Sequence, residues 1–152
     1  MSLAPKLPAR KILVIDDNPL VLDSLSRVLE SGGYDVFTAG DGPEAFNVAR
    51  RIRPDLILLD LFFPPDTGQS GNSWDAFMII DWFQRMGVVG NTPIIVISGA
   101  EPEQFRDRFL VGGVAAFLSK SVGPRELLGT IHTILSDLVS RENSRQTANL
   151  KH

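Results

Sequence analysis

The chain contains no cysteine, which excludes a disulfide framework and any thiolate metal site and fits a reducing compartment. No apolar run approaches the ~20 residues of a membrane span, and the head Met1 to Arg10 lacks the apolar core of a signal peptide. Charge of neither sign is in excess: 15 Lys and Arg against 18 Asp and Glu leave a formal charge of −3. No broad field therefore draws the chain to nucleic acid or to an acidic membrane. What is present is ordinary for a soluble globular domain, with 43% hydrophobic and 22% charged residues. A chain of 152 residues supports one core and not two. The expectation is a cytoplasmic single domain over residues 10–139, preceded by a head at 1–9 that is disordered or an expression remnant. A polar tail at 140–152, expected to fray, follows the domain.

Two periodicities alternate along the chain. Ile12-Leu13-Val14-Ile15 is a short buried-strand run that ends in Asp16-Asp17, after which Asn18 suits an N-cap and Pro19 a first helical position. Leu22, Leu25 and Leu29 form a helical stripe, stopped by Gly32-Gly33. Tyr34 to Ala39 reads as a more polar strand near an edge, and Pro43 to Ile52 as a helix with Ala45, Phe46 and Ala49 inward. Leu56-Ile57-Leu58-Leu59 is apolar without alternation, as in a central parallel strand covered on both faces, and it delivers Asp60. Pro64 to Ser73 is an unusually long loop, followed by a helix from Trp74 to Met86 with Phe77, Ile80 and Phe83 or Met86 inward. Ile94-Ile95-Val96-Ile97 is a further buried run ending at Ser98-Gly99, and Glu101 to Val111 a short helix. Ala115 to Leu118 is a fifth strand ending at Ser119-Lys120, and a last helix runs from Pro124 to about Val139. Five strands and five helices in alternation predict a doubly wound α/β sandwich with strand order 2-1-3-4-5.

In that topology the carboxyl ends of strands one, three, four and five share one crevice, which receives Asp16, Asp17, Asp60, Ser98 and Lys120. Gathered carboxylates repel one another unless a cation neutralises them. Oxygen donors without His or Cys favour magnesium or calcium, and a few carboxylates with a loop carbonyl and waters suit magnesium. An ammonium, a hydroxyl and a metal around one carboxylate make a site for an incoming phosphoryl group, with the carboxylate as nucleophile.

With those stretches in register, the sequence resembles the receiver domain of two-component response regulators, the chemotaxis-regulator type of flavodoxin-like fold. The matching segments are Ile12 to Asn18, Gly32 to Val36, Pro54 to Asp60, Thr92 to Gly99 and Gly113 to Lys120. The resemblance implies that Asp60 is the phosphoacceptor. It implies that Asp17, Asp60 and the Phe62 carbonyl bind Mg²⁺, with Asp16 acting largely through water. Lys120 and Ser98 would then meet the phosphoryl oxygens, and Phe117 would be the aromatic whose rotamer follows Ser98. Phosphorylation would bias the surface of the fourth helix, fifth strand and fifth helix. The implied partners are a sensor histidine kinase or histidine-phosphotransfer domain and a downstream protein. The implied state is a monomer or a phosphorylation-dependent dimer. Phosphoryl transfer would be self-catalysed, as would autodephosphorylation, so the protein would not be a turnover enzyme. No helix-turn-helix follows Val139, so direct nucleic-acid binding is not expected of this chain.

Departures from the family pattern carry their own expectations. Receivers usually have Pro after the lysine, where this chain has Ser121. A cis bond there would cost ~3 kcal/mol, so either a trans or a strained Lys120–Ser121 peptide is expected. The loop after Asp60 is long, Phe63 stands where Met is common, and the expected Gly is replaced by Ser73 or displaced to Gly71. With a bulky Phe62, and Ala100 unable to position a water, hydrolysis of the aspartyl-phosphate is expected to be slow. Competing readings are a receiver-shaped interaction module that does not use phosphate, and an aspartate-nucleophile phosphatase. The latter would need an acid where Phe62 stands. A flavin-binding fold is disfavoured by the acidic first loop, Asp16-Asp17-Asn18. His132 is expected at the surface or the boundary, Trp82 in core or boundary packing, and Arg50-Arg51-Arg53 on a solvated face.

Overall fold

A computed structural model describes residues 8–61, 76–85, 92–98 and 114–150. Five parallel strands, β1 (Lys11–Ile15), β2 (Asp35–Ala39), β3 (Leu56–Leu61), β4 (Ile94–Ser98) and β5 (Ala116–Ser119), form one sheet in the order 2-1-3-4-5. The order follows from the apolar content of the runs. β1, β3 and β4 have no polar side to present to water, so they occupy the centre, while the more polar β2 takes an edge.

Helices α1 (Pro19–Ser31), α2 (Gly42–Ile52), α3 (Ala76–Arg85) and α4 (Pro124–Leu150) cover both faces. Strand alternation sorts the core into two layers. Leu13, Ile15, Ile57, Leu59, Ile94 and Val96 pack with Ala45, Ala49, Ile80 and Phe83 from α2 and α3. Ile12, Val14, Leu56, Leu58, Ile95 and Ile97 pack with Leu29 of α1 and with Leu127, Ile131 and Leu135 of α4. Trp82 sits at the margin, edge-on to Phe46, and His132 is exposed, both as expected. The side chain of Phe77, predicted inward, is not described, and Met86, the long loop and the helix at 101–111 lie outside the described residues.

Capping fixes where the helices begin. The Asn18 side chain accepts from Leu20 N at 3.0 Å, and Asp41 accepts from Glu44 N at 2.7 Å while Glu44 reaches back to Gly40 N. The C-terminal end of α4 corrects the sequence reading. The helix does not fray at Ser140 but continues to Leu150, because the segment after Val139 holds no Pro or Gly and several good helix formers such as Arg, Gln and Ala.

At the amino-terminal edge of the sheet, Asp55 clamps β1: its carboxylate accepts from Lys11 N at 2.7 Å, and its own N–H donates to the Lys11 carbonyl. Nearby, burial pushes the Tyr34 phenol above its usual value, opposed by the Arg10 charge.

Arg53 closes α2 in the left-handed region, at φ 51°, its N–H bonded to the Ala49 carbonyl. That conformation disfavours any residue with a Cβ. The exposed Arg53→Gly variant is therefore expected to gain about 0.5–1 kcal/mol, read as a raised urea midpoint at unchanged slope.

Candidate functional site

Strand register carries the predicted residues to one edge. A single row crosses the sheet through Ile15, Leu59, Val96 and Phe117. One step further toward the carboxyl ends come Asp16, just past β1, and Asp60, whose backbone pairs with Ile97. One step further again Ser98 pairs with both Leu61 and Ser119, and Lys120 follows directly. Polar residues gather at this edge because each apolar run ends there as the strand leaves the core.

Asp16 keeps its backbone in the sheet, Asp16 N donating to Ala39 O at 3.1 Å. Its carboxylate folds into an Asx turn, Oδ1 accepting from Asn18 N at 2.9 Å. The residue is only 2% exposed, whereas the adjacent Asp17 is exposed. A carboxylate withdrawn from water favours a cation beside it. The donor set at this edge is oxygen throughout, which suits a hard divalent ion such as Mg²⁺ and not zinc. Among the described residues no cluster of three or more His, Cys, Asp or Glu residues is arranged to hold a metal. The third expected carboxylate, Asp60, has a described backbone but no described side chain, and Phe62, whose carbonyl was expected to complete the set, lies outside the described residues.

Ser98 closes β4, 3% exposed, and its carbonyl accepts from Lys120 N at 2.9 Å. That bond extends the β4–β5 ladder one residue and ties the lysine's backbone to the serine. Past Lys120 the chain turns, Val122 N donating to Ser119 O at 3.0 Å. Inside the turn Ser121 N donates to Ser119 Oγ at 3.3 Å, and the two serine hydroxyls lie 2.9 Å apart. The Lys120–Ser121 peptide is trans, since the described residues contain no cis bond; this is the first of the two expected outcomes. Phe117 is half-buried in β5 against the α2–α3 side of the core.

Two features escaped the sequence reading. The Ser119–Ser121 pair is one, since hydroxyls two residues apart in a turn give only a weak local signal. The other is a groove of about 370 Å³ between α1 and the segment after β5, lined by Leu20, Val21, Leu25 and Val122 with Lys120 at its side. Leu20, 78% exposed, falls off the Leu22–Leu25–Leu29 stripe, and that offset was the available clue.

Comparisons with known proteins show the family and the fold. The family described as the response regulator receiver domain matches residues 12–132. The polar-differentiation response regulator DivK of Brucella anthropi is 26% identical over 128 residues, covering 84% of this chain and 98% of that protein. The DNA-binding response regulator MtrA of Mycolicibacterium smegmatis is 30% identical over 126 residues, which are 83% of this chain but 50% of MtrA. This chain thus spans about half of that relative. Among solved structures, the chemotaxis protein CheY4 of Vibrio cholerae is 27% identical with a TM-score of 0.69, over 83% of this chain and 98% of that one. A CheY-like receiver domain from Methanospirillum hungatei shares the fold at a TM-score of 0.75 and 23% identity, over 88% of this chain and 99% of that one.

Proposed function

Because this chain belongs to the response regulator receiver domain family of two-component signalling, we propose that it is a switch set by phosphorylation of Asp60. A carboxylate oxygen of Asp60 attacks the phosphorus of a donor phosphohistidine. The new P–O bond forms as the P–N bond breaks, and the imidazole leaves with a proton. The product is an acyl phosphate on Asp60.

Asp17, Asp60 and the Phe62 carbonyl would hold Mg²⁺, with Asp16 acting through a water; when bound, the ion supplies neutralising charge for the transferred oxygens. Lys120 pairs with one phosphoryl oxygen as a compact point charge, and the Ser98 hydroxyl donates to another. Phosphorylation adds about −1.5 to −2 charges at the crevice. The pull on Ser98 and Lys120 then differs between the two states, and Phe117 follows Ser98. The surface of the predicted helix at 101–111, β5 and α4 carries that difference to a protein partner. The donor is a sensor histidine kinase or a histidine-phosphotransfer domain, and the reaction takes place in the cytoplasm.

The observation that carries this reading is the register that brings Asp16, Asp60, Ser98 and Lys120 within one step or two of each other along adjacent strand ends. Incubation with acetyl phosphate and Mg²⁺, followed by intact-mass measurement, is the test. One phosphoryl group per chain is expected, and none when EDTA replaces Mg²⁺. After the donor is removed, the group is expected to persist for minutes or longer, because Phe62 and Ala100 give no help to an attacking water. No mass gain with Mg²⁺ present would point instead to a binding module that does not use phosphate. Loss within seconds would show that hydrolysis is not slow.

A further inference from the structure

In the reading above, Lys120 meets the phosphoryl group. What aims it is a matter of backbone, because a lysine ammonium stands at the end of four rotatable bonds and its reach is set by where its Cα is held. On the amino-terminal side the answer is the sheet: Lys120 N is bonded to Ser98 O. On the carboxyl-terminal side the next residue is Ser121 and not proline, and the peptide that joins them is trans, so no ring fixes the direction in which the chain leaves.

From the geometry of this turn we propose that Ser119 and Ser121 are positioning residues for Lys120, through a hydroxyl bracket that closes around it. The proposal rests on the reading that Lys120 contacts the transferred phosphoryl group.

Three contacts compose the bracket. Val122 N donates to Ser119 O at 3.0 Å and closes the backbone turn. Ser121 N donates to Ser119 Oγ at 3.3 Å. The hydroxyls of Ser119 and Ser121 lie 2.9 Å apart. One assignment satisfies both side-chain contacts at once: Ser119 Oγ accepts from the Ser121 amide and donates its own proton to Ser121 Oγ. The hydroxyl of Ser119 is thus used as acceptor and donor within a three-residue loop whose middle residue is Lys120. Proline at 121 has neither N–H nor hydroxyl, so the amide contact exists because the residue there is not proline, and the hydroxyl contact because it is serine. Of the pair, Ser119 is half-buried and Ser121 exposed. The bracket therefore sits at the rim of the site, where water would otherwise solvate these groups and leave the turn free to vary. Small displacements matter at such a place, since a misplacement of about 1 Å in a positioned group costs up to ~10²-fold in rate.

The test compares the wild type with Ser119→Ala, Ser119→Thr and Ser121→Ala at a temperature well below each melting midpoint. The rate of mass gain with acetyl phosphate is measured beside Mg²⁺ affinity from isothermal titration calorimetry. Ser119→Ala is expected to accept the phosphoryl group about tenfold more slowly. Ser119→Thr, which keeps the hydroxyl, should stay within about threefold of the wild type, with Mg²⁺ affinity unchanged within about twofold in both variants. Ser121→Ala leaves the amide contact in place and should fall between them. It is also the variant to read if Ser119→Ala does not fold. A Ser119→Ala rate within about twofold of the wild type would overturn the proposal. So would a Ser119→Thr rate as slow as that of Ser119→Ala, because the hydroxyl would then not be the cause. A fall in Mg²⁺ affinity in step with the rate would also overturn it, by showing a general loosening of the site. If the wild type itself gains no mass, the parent reading fails first and the bracket has no phosphoryl group to serve.

Discussion

Asp60→Asn is expected to abolish phosphoryl acceptance, by at least ~10³-fold, while leaving the fold intact. Asparagine matches aspartate in shape, so the tip of β3, paired at this position with Ile97, has no reason to move. The change is chemical: an amide oxygen is a far poorer nucleophile than a carboxylate oxygen, and one of the acids expected to face the metal is lost. The same substitution should stabilise the metal-free protein. Asp16 is buried and Asp17 sits beside it, and a third carboxylate adds repulsion that a neutral amide removes, worth on the order of 1 kcal/mol. The paired outcome, no mass gain with acetyl phosphate but an equal or higher melting midpoint in EDTA, separates a lost nucleophile from a damaged fold. An Asp60→Asn protein that still gains one phosphoryl group would move the acceptor elsewhere, with Asp17 as the first residue to examine.

Much of this arrangement was legible in the sequence because the signals were redundant. Uninterrupted runs such as Leu56 to Leu59 specify strands buried on both faces, and polar pairs at their ends mark where the core stops. Asn18-Pro19 and Gly32-Gly33 bracket α1 with residues whose backbone preferences leave little choice. The misreading at the end of α4 has the opposite cause. A polar composition after Val139 speaks against a buried face but not against a helix, since intrinsic propensity persists where packing stops. The site divides along the same line. Asp16, Ser98 and Lys120 could be assigned to one edge because topology alone puts them there. The Ser119–Ser121 contacts and the trans Lys120–Ser121 bond depend on dihedral angles within a short turn, and residue types constrain those weakly. The groove beside α1 needs two elements distant in sequence to be placed before it exists at all.

Leu58→Ala should be the most damaging truncation of an apolar side chain in the central strand, costing about 3–5 kcal/mol. Leu58 has no solvent exposure and lies between Val14 of β1 and Ile95 of β4. It belongs to the layer that joins the sheet to α1 and α4. Its neighbours are β-strand backbones fixed by ladder hydrogen bonds on both sides, so they cannot collapse into the space an alanine would leave. A cavity lined by Ile and Leu also stays dry, so no water offsets the lost contacts. Against a total stability of ~5–15 kcal/mol, this is a large fraction. In a chain of this size it corresponds to a melting midpoint lowered by roughly 10–15 °C. The control is Leu20→Ala, a substitution of the same chemistry at a residue 78% exposed, which should change stability by no more than about 0.5 kcal/mol. Urea melts of the two variants decide the matter. A Leu58→Ala cost below about 1 kcal/mol would mean that β3 is not enclosed on both faces. The tip of that strand would then lack the rigid seat from which position 60 is presented.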